Sequence, residues 1–175
     1  MTYAVFLDRD GTINNDSGYV HKPEDLLILP GVIEGLQLLN RYKLFIITNQ
    51  SGVGRGYFTI EEFFIFNDLL VTKLNENNIT IENTYCCPHR PDADCDCRKP
   101  KIKHLKDAEK KYKIDLSQSY VIGDRASDIE MGRRGGCKTM LVLSGHLKKH
   151  DNLATKPDII VNDLYEGAKI ITEKS

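Results

Sequence analysis

Short apolar runs rich in β-branched and aromatic residues alternate along the chain with longer stretches in which apolar positions recur at helical spacing. The runs are Ala4–Leu7, Leu44–Thr48, Ile81–Cys86, Tyr120–Ile122, Thr139–Leu143 and Ile159–Val161. Their continuity predicts strands covered on both faces. Between them, Val32, Ile33, Leu36 and Leu39 form one stripe after Pro30-Gly31, and Thr59-Ile60-Glu61-Glu62 has the residues of a capping box. Phe63, Phe66, Leu70 and Leu74 then supply one apolar face. Ile102, Leu105, Ala108 and Tyr112 mark a third helix, a fourth follows Asp128, and a fifth runs from about Leu164 to Ile171. Parallel strands need crossover connections, so this alternation predicts the α/β class: a three-layer, Rossmann-like parallel sheet with helices on both faces. No repeat or linker divides the chain, and residues 1–175 read as one domain.

Composition narrows the function classes. With 41% hydrophobic and 28% charged residues, the chain has the balance of a soluble globular protein. Its formal net charge of −1 supplies no global field for nucleic acid or an anionic membrane, and no basic, aromatic-lined groove is evident. The most basic stretch, His146, Lys148, Lys149, His150 and Lys156, is interrupted by Asp151 and reads as a solvated loop. The initial run Tyr3–Leu7 is too short for a signal sequence, and no stretch reaches the length of a membrane span. These features predict a cytoplasmic protein, and a compact domain with no evident apolar patch predicts a monomer.

In parallel sheets, ligands bind beyond the carboxyl ends of the strands, so chemistry is sought just after them. Asp8-Arg9-Asp10-Gly11-Thr12 follows the first strand; Gly11 permits a sharp turn there, and Thr12 offers the turn a hydroxyl. Residues two apart in an extended chain point the same way, so Asp8 and Asp10 can face one site. Thr48-Asn49-Gln50-Ser51-Gly52, after the second, offers a hydroxyl and amides as a phosphate cradle in a Gly-rich loop that continues to Arg55. Arg98-Lys99-Pro100 brings two cations, and Gly123-Asp124-Arg125-Ala126-Ser127-Asp128 adds two carboxylates at a strand end, Asp128 standing where a helix N-cap would. Like charges so clustered call for a cation, and carboxylates with open positions suit Mg²⁺.

Of five cysteines, four lie between Cys86 and Cys97. Cys87, His89, Cys95 and Cys97 offer a complete tetrahedral zinc set with no position for water, which implies a structural staple, with free thiols or a disulfide as the alternatives. Cys86 belongs to a strand, and Cys137 reads as core. Cys97 adjoins Arg98-Lys99, so a metal there would fix both cations.

The ordered set Asp-x-Asp-Gly-Thr, Thr-Asn, Lys and Gly-Asp-x-x-x-Asp resembles the haloacid dehalogenase superfamily of phosphatases over essentially the whole chain. The resemblance implies an Mg²⁺-dependent phosphomonoesterase. In it Asp8 is nucleophile and metal ligand, Asp10 is general acid/base and ligates through its backbone carbonyl, Thr48 and Lys99 hold the phosphate, Asp124 completes the metal site, and Asp128 supports it. Retention of every charged member implies an enzyme rather than an inert scaffold.

The zinc loop narrows the resemblance to the heptose-bisphosphate phosphatases and the related histidinol-phosphate phosphatases. Gly18-Tyr19-Val20-His21 and Thr48–Gly56 look like the heptose branch. The short zinc loop and Gly123-Asp124-Arg125 look more like the histidinol branch. No folded cap fits between Asp10 and Thr48, so short loops must meet a small phosphorylated sugar or alcohol. Arg9, Tyr19, Asn49, Gln50, Arg55, Arg98 and Arg125 are expected to bind it, with Arg55 and Arg98 holding a second phosphate. The heptose 1,7-bisphosphate is the favoured substrate.

Overall fold

The computed structural model describes residues 2–146 and 153–173. Six parallel strands form one sheet: β1 (Ala4–Leu7), β2 (Lys43–Asn49), β3 (Ile81–Cys87), β4 (Tyr120–Gly123), β5 (Lys138–Val142) and β6 (Ile159–Val161), in the order β3-β2-β1-β4-β5-β6. Each expected strand is present, with ends shifted by a residue where ladder bonds continue. Among the described residues six α-helices accompany them: α1 (Val32–Leu38), α2 (Ser51–Gly54), α3 (Ile60–Asn75), α4 (Lys103–Tyr112), α5 (Ala126–Gly135) and α6 (Leu164–Glu173).

Side-chain alternation divides the central strands between two cores. Val5, Leu7, Leu44, Ile46, Tyr120 and Ile122 pack with α1, α6 and Leu70 and Leu74 of α3. Ala4, Phe6, Phe45, Ile47 and Val121 pack with Leu105 and Ala108 of α4 and Met131 of α5. All four residues of β1 are fully buried, as a central strand covered on both faces requires. Phe6 and Phe45 stack across β1 and β2 with centroids 5.3 Å apart, and each large side chain so buried contributes about 1.5–3 kcal/mol. The three-layer architecture is the expected one.

Three local expectations change. The segment read as a Gly-rich loop after β2 forms the short helix α2. Asp128 lies in the third position of α5 rather than before it, and its Oδ2 reaches back to accept the Arg125 N–H at 3.0 Å. Thr12 Oγ1 is buried without a hydrogen-bond partner and does not brace the turn. The capping box of α3 is formed: Thr59 Oγ1 accepts from Glu62 N at 3.1 Å, and Glu62 Oε2 accepts from Thr59 N at 2.7 Å. Among the described residues no helix is long and apolar enough to cross a membrane. Most of the basic stretch, Lys148 to His150, lies outside the described residues.

Candidate active site

Strand order brings the motif-bearing ends together. β1 lies between β2 and β4, so the chain leaving each of the three emerges on one sheet edge. Asp8 N donates to Ile122 O at 2.9 Å, extending the β1–β4 ladder by one bond before the strands part. Gly11, at φ +86°, then turns the chain so that Ile13 N returns to Arg9 O at 2.8 Å. A Cβ at Gly11 would also overlap the Asp124 carboxylate, so this turn requires glycine twice over.

The carboxylates of Asp8, Asp124 and Asp128 each place an oxygen within 4.8 Å of the others, all buried. Lys99 Nζ joins them, 2.8 Å from Asp8 Oδ1, 2.7 Å from Asp128 Oδ1 and 2.8 Å from Ile47 O. Burial alone would lower the Lys99 pKa, but the Asp128 and Asp8 carboxylates outweigh it and the ammonium is held well above its ordinary range. Burial, then Asp8 and Asp128, push Asp124 up to about 8. Asp128 is also raised, by burial and Asp8, with Lys99 limiting the rise. Asp124 Oδ1 is buried with no hydrogen-bond partner. One ammonium against three carboxylates, with an orphaned carboxylate oxygen, is the environment a hard dication relieves.

Above this cluster opens a pocket of about 340 Å³ lined by Asp8, Asp10, Thr48, Tyr19, Arg98 and Arg125, with Asn49 and Gln50 in its wall. Asn49 Oδ1 accepts Lys99 N at 3.1 Å, and Gln50 Nε2 donates to Thr48 Oγ1 at 2.8 Å and Asp10 Oδ2 at 2.9 Å. These two amides are therefore committed to holding other site residues. Arg125 pairs with Asp16 at 2.8 Å across the rim, and the Tyr19 ring meets Tyr57 edge-on at 4.8 Å.

Two expected substrate-binding residues do not face this pocket. Arg9 is fully buried beneath it, its guanidinium packed on aromatic rings of α3, because the side chain between Asp8 and Asp10 points to the opposite side of the chain. Arg55 caps the C-terminal end of α2, exposed and outside the lining, because the chain coils there instead of running over the site.

Conversely, the segment after β5 reaches the site, and His146, expected in a solvated loop, is tied to it through its backbone. Asp124 Oδ2 accepts the His146 N–H at 2.5 Å, and Ser144 Oγ donates to Gly11 O at 3.1 Å. Gly145 touches the Asp124 carboxylate so closely that a Cβ would overlap it. Its place just after a strand end was the signal that could have revealed it.

Beside the site, Cys87, His89, Cys95 and Cys97 converge; Cys86 stands outside the group, and Cys137 is in the core. Cys87 Sγ lies 3.9 Å from Cys95 Sγ and 3.6 Å from His89 Nδ1, which is 3.2 Å from Cys97 Sγ. Ligands around one tetrahedral zinc at about 2.3 Å are separated by roughly 3.8 Å, so the donor set is compatible with zinc. Burial raises the Cys87 and Cys97 thiols, and a cation would reverse that.

The HAD-hydrolase-like family model matches residues 96–167. A probable D-glycero-D-manno-heptose-1,7-bisphosphate 7-phosphatase of Thermoplasma volcanium is 46% identical over 134 residues, 75% of this chain and 92% of the relative. A D-glycero-β-D-manno-heptose-1,7-bisphosphate 7-phosphatase of Photorhabdus laumondii is 36% identical over 177 residues, 96% of this chain and 94% of the relative. The crystal structure of the D,D-heptose 1,7-bisphosphate phosphatase from B. bronchiseptica, complexed with magnesium and phosphate, superposes with a TM-score of 0.92 at 28% identity, covering 99% of this chain and 100% of that one. With its Asp-bearing strand end, its Lys99-centred carboxylate cluster and these relatives, the chain belongs to the haloacid dehalogenase-like phosphatases, in the family of the heptose-1,7-bisphosphate 7-phosphatases.

Proposed function

We propose that this protein removes one phosphate from D-glycero-D-manno-heptose 1,7-bisphosphate, the 7-phosphate that its relatives' names specify. The observation that carries the reading is the Asp8–Lys99–Asp128 array beside Asp124 at the base of a polar pocket. Asp8 attacks phosphorus while the ester oxygen leaves and takes a proton from Asp10, giving an aspartyl-phosphate and the free alcohol. Water then attacks that phosphorus, Asp10 recovers a proton, and Asp8 is regenerated with release of inorganic phosphate. Asp8, Asp124 and the Asp10 carbonyl would hold Mg²⁺, which when bound supplies positive charge to the phosphoryl oxygens. Lys99 and Thr48 hold the same group, and Asp128 anchors Lys99.

Arg98 and Arg125 stand at the pocket where a second phosphate needs cations, and the exposed Tyr19 offers a ring face to the sugar. Cys87, His89, Cys95 and Cys97 hold structural zinc. The protein acts as one domain, a monomer in the cytoplasm. Comparing kcat/KM on the heptose 1,7-bisphosphate and on histidinol phosphate, with Mg²⁺, tests the substrate. A preference for the heptose above tenfold is expected, and a smaller ratio refutes the assignment. Asp8→Asn should abolish turnover of both, and equal rates would refute the covalent route.

A further inference from the structure

Arg9 carries a permanent charge in a place with no solvent at all. Its guanidinium carbon lies 4.6 Å from the Phe66 ring centroid and 5.1 Å from that of Phe63. Nε donates to Asp10 Oδ1 at 2.9 Å and Nη2 to Asp10 Oδ2 at 3.1 Å, a two-pronged pair. Nη2 also donates to Val20 O at 3.1 Å, and Nη1 has no partner. A buried ion pair is seldom more stable than apolar side chains of the same volume, and the slot against Phe63 and Phe66 would accept one. Stability therefore gives little reason for an arginine here.

What it touches gives a better one. Asp10 Oδ1 also accepts from Asn14 Nδ2, and Oδ2 from Gln50 Nε2, each at 2.9 Å. The amides of Asn14 and Gln50 can rotate to present oxygen instead of nitrogen, so their bonds can be exchanged as a carboxyl gains or loses a proton. Arg9 cannot: it only donates, and the rings fix its plane. The second partner, Val20, follows Tyr19, whose ring lines the pocket.

We infer that Arg9 is a positioning residue for the reaction. It fixes the direction of the Asp10 carboxylate toward the ester oxygen and ties that carboxylate to the strap carrying Tyr19. This rests on the reading of Asp10 as the acid–base group. A carboxyl that must meet its proton partner within hydrogen-bond reach loses rate when free to rotate.

The experiment compares wild type, Arg9→Met, Arg9→Lys and Asp10→Asn on glycerol phosphate and p-nitrophenyl phosphate with Mg²⁺. Methionine fills the aromatic slot without charge, and thermal melting selects folded variants. Alkoxide departure needs a proton; p-nitrophenolate departure does not. For Arg9→Met the expectation is a fall of roughly a hundredfold in kcat on glycerol phosphate with little change in KM. On p-nitrophenyl phosphate the first turnover should survive as a burst of p-nitrophenol followed by slow turnover, because hydrolysis of the phosphoenzyme still needs a base. Asp10→Asn should show the same pattern more strongly, and Arg9→Lys should fall between. If Arg9→Met does not fold, Arg9→Lys is read by the same criteria. A folded Arg9 variant within a few-fold of wild type on glycerol phosphate, or one losing burst and turnover equally, overturns the inference while leaving Asp10's role intact. An unimpaired Asp10→Asn overturns both.

Discussion

Lys99 Nζ lies 2.7 Å from Asp128 Oδ1, in a space where the two side chains are 3% and 1% exposed. The pair spans the sheet edge, joining the chain after the Cys/His loop to the first turn of α5. Asp128 reaches this position because it packs against Gly123, where a Cβ would overlap its carboxylate. One residue thus closes the start of α5 with Oδ2 and holds the Lys99 ammonium beside Asp8 with Oδ1.

Asp128→Asn should therefore damage both fold and function. Breaking a buried pair typically costs about 3–5 kcal/mol, and the loss should fall near the lower figure because Lys99 keeps Asp8. Urea unfolding measures it. kcat/KM should fall by roughly ten- to a hundredfold, as for other residues that orient a site through a neighbour. Unchanged kcat/KM in a destabilised variant would confine Asp128 to the helix start.

Mg²⁺ binding should depend on pH in a definite direction. In the metal-free site Asp124 is raised to about 8, so at neutral pH it holds a proton that the metal must displace. Apparent affinity should rise with pH, by at most about tenfold per unit, and level off above pH 8. The stability linkage has the matching sign. A carboxyl with a raised folded pKa stabilises the fold fully below its ordinary range of about 4, and loses that contribution as pH climbs toward 8. The rise in melting temperature on adding Mg²⁺ should therefore grow between pH 6 and 8. Calorimetry in buffers of different ionisation enthalpy should register proton release, and its absence would refute the protonated state.

Gly145→Ala tests the wall behind the same carboxylate. The added methyl would overlap Asp124 and the Gly11 carbonyl, and the backbone partner cannot swing aside as a flexible side chain would. Asp124 must then move, and Mg²⁺ affinity should drop by roughly ten- to a hundredfold with the sheet intact. Unaltered Mg²⁺ affinity by titration would show that the carboxylate relaxes freely.

The sheet was legible because central strands such as β1 are apolar on both faces and the helices between them repeat at helical spacing. The carboxylates were legible because each follows a strand end. Their placement relative to the pocket was not: Arg9 and Arg55 are polar residues in the right segments, and only the burial of Arg9 against α3 and the coiling of α2 before the exposed Arg55 remove them from it. Gly145 was missed for a different reason. It acts through the space its absent side chain leaves, which a search for reactive groups does not register.

Zinc removal connects the two candidate metal sites. Cys97 precedes Arg98 and Lys99 in the chain, and the Lys99 backbone is gripped on the other side by Asn49, which accepts its N–H at 3.1 Å. Arg98 Nη1 also donates to His89 O at 3.4 Å. With four ligands released, three buried or half-buried donors lose their common partner, and the loop has few apolar side chains to hold its shape. Lys99 would keep its ion pairs but lose the fixed backbone that aims it. A strong chelator, followed by Mg²⁺ resupply and metal analysis, should leave the far-ultraviolet circular dichroism of the sheet nearly unchanged while activity falls by roughly tenfold or more. Cys97→Ser should behave alike, and zinc should restore the chelated wild type but not the variant. Full activity in a demonstrably zinc-free, Mg²⁺-supplied sample would separate the loop from the active site and leave the staple a purely local role.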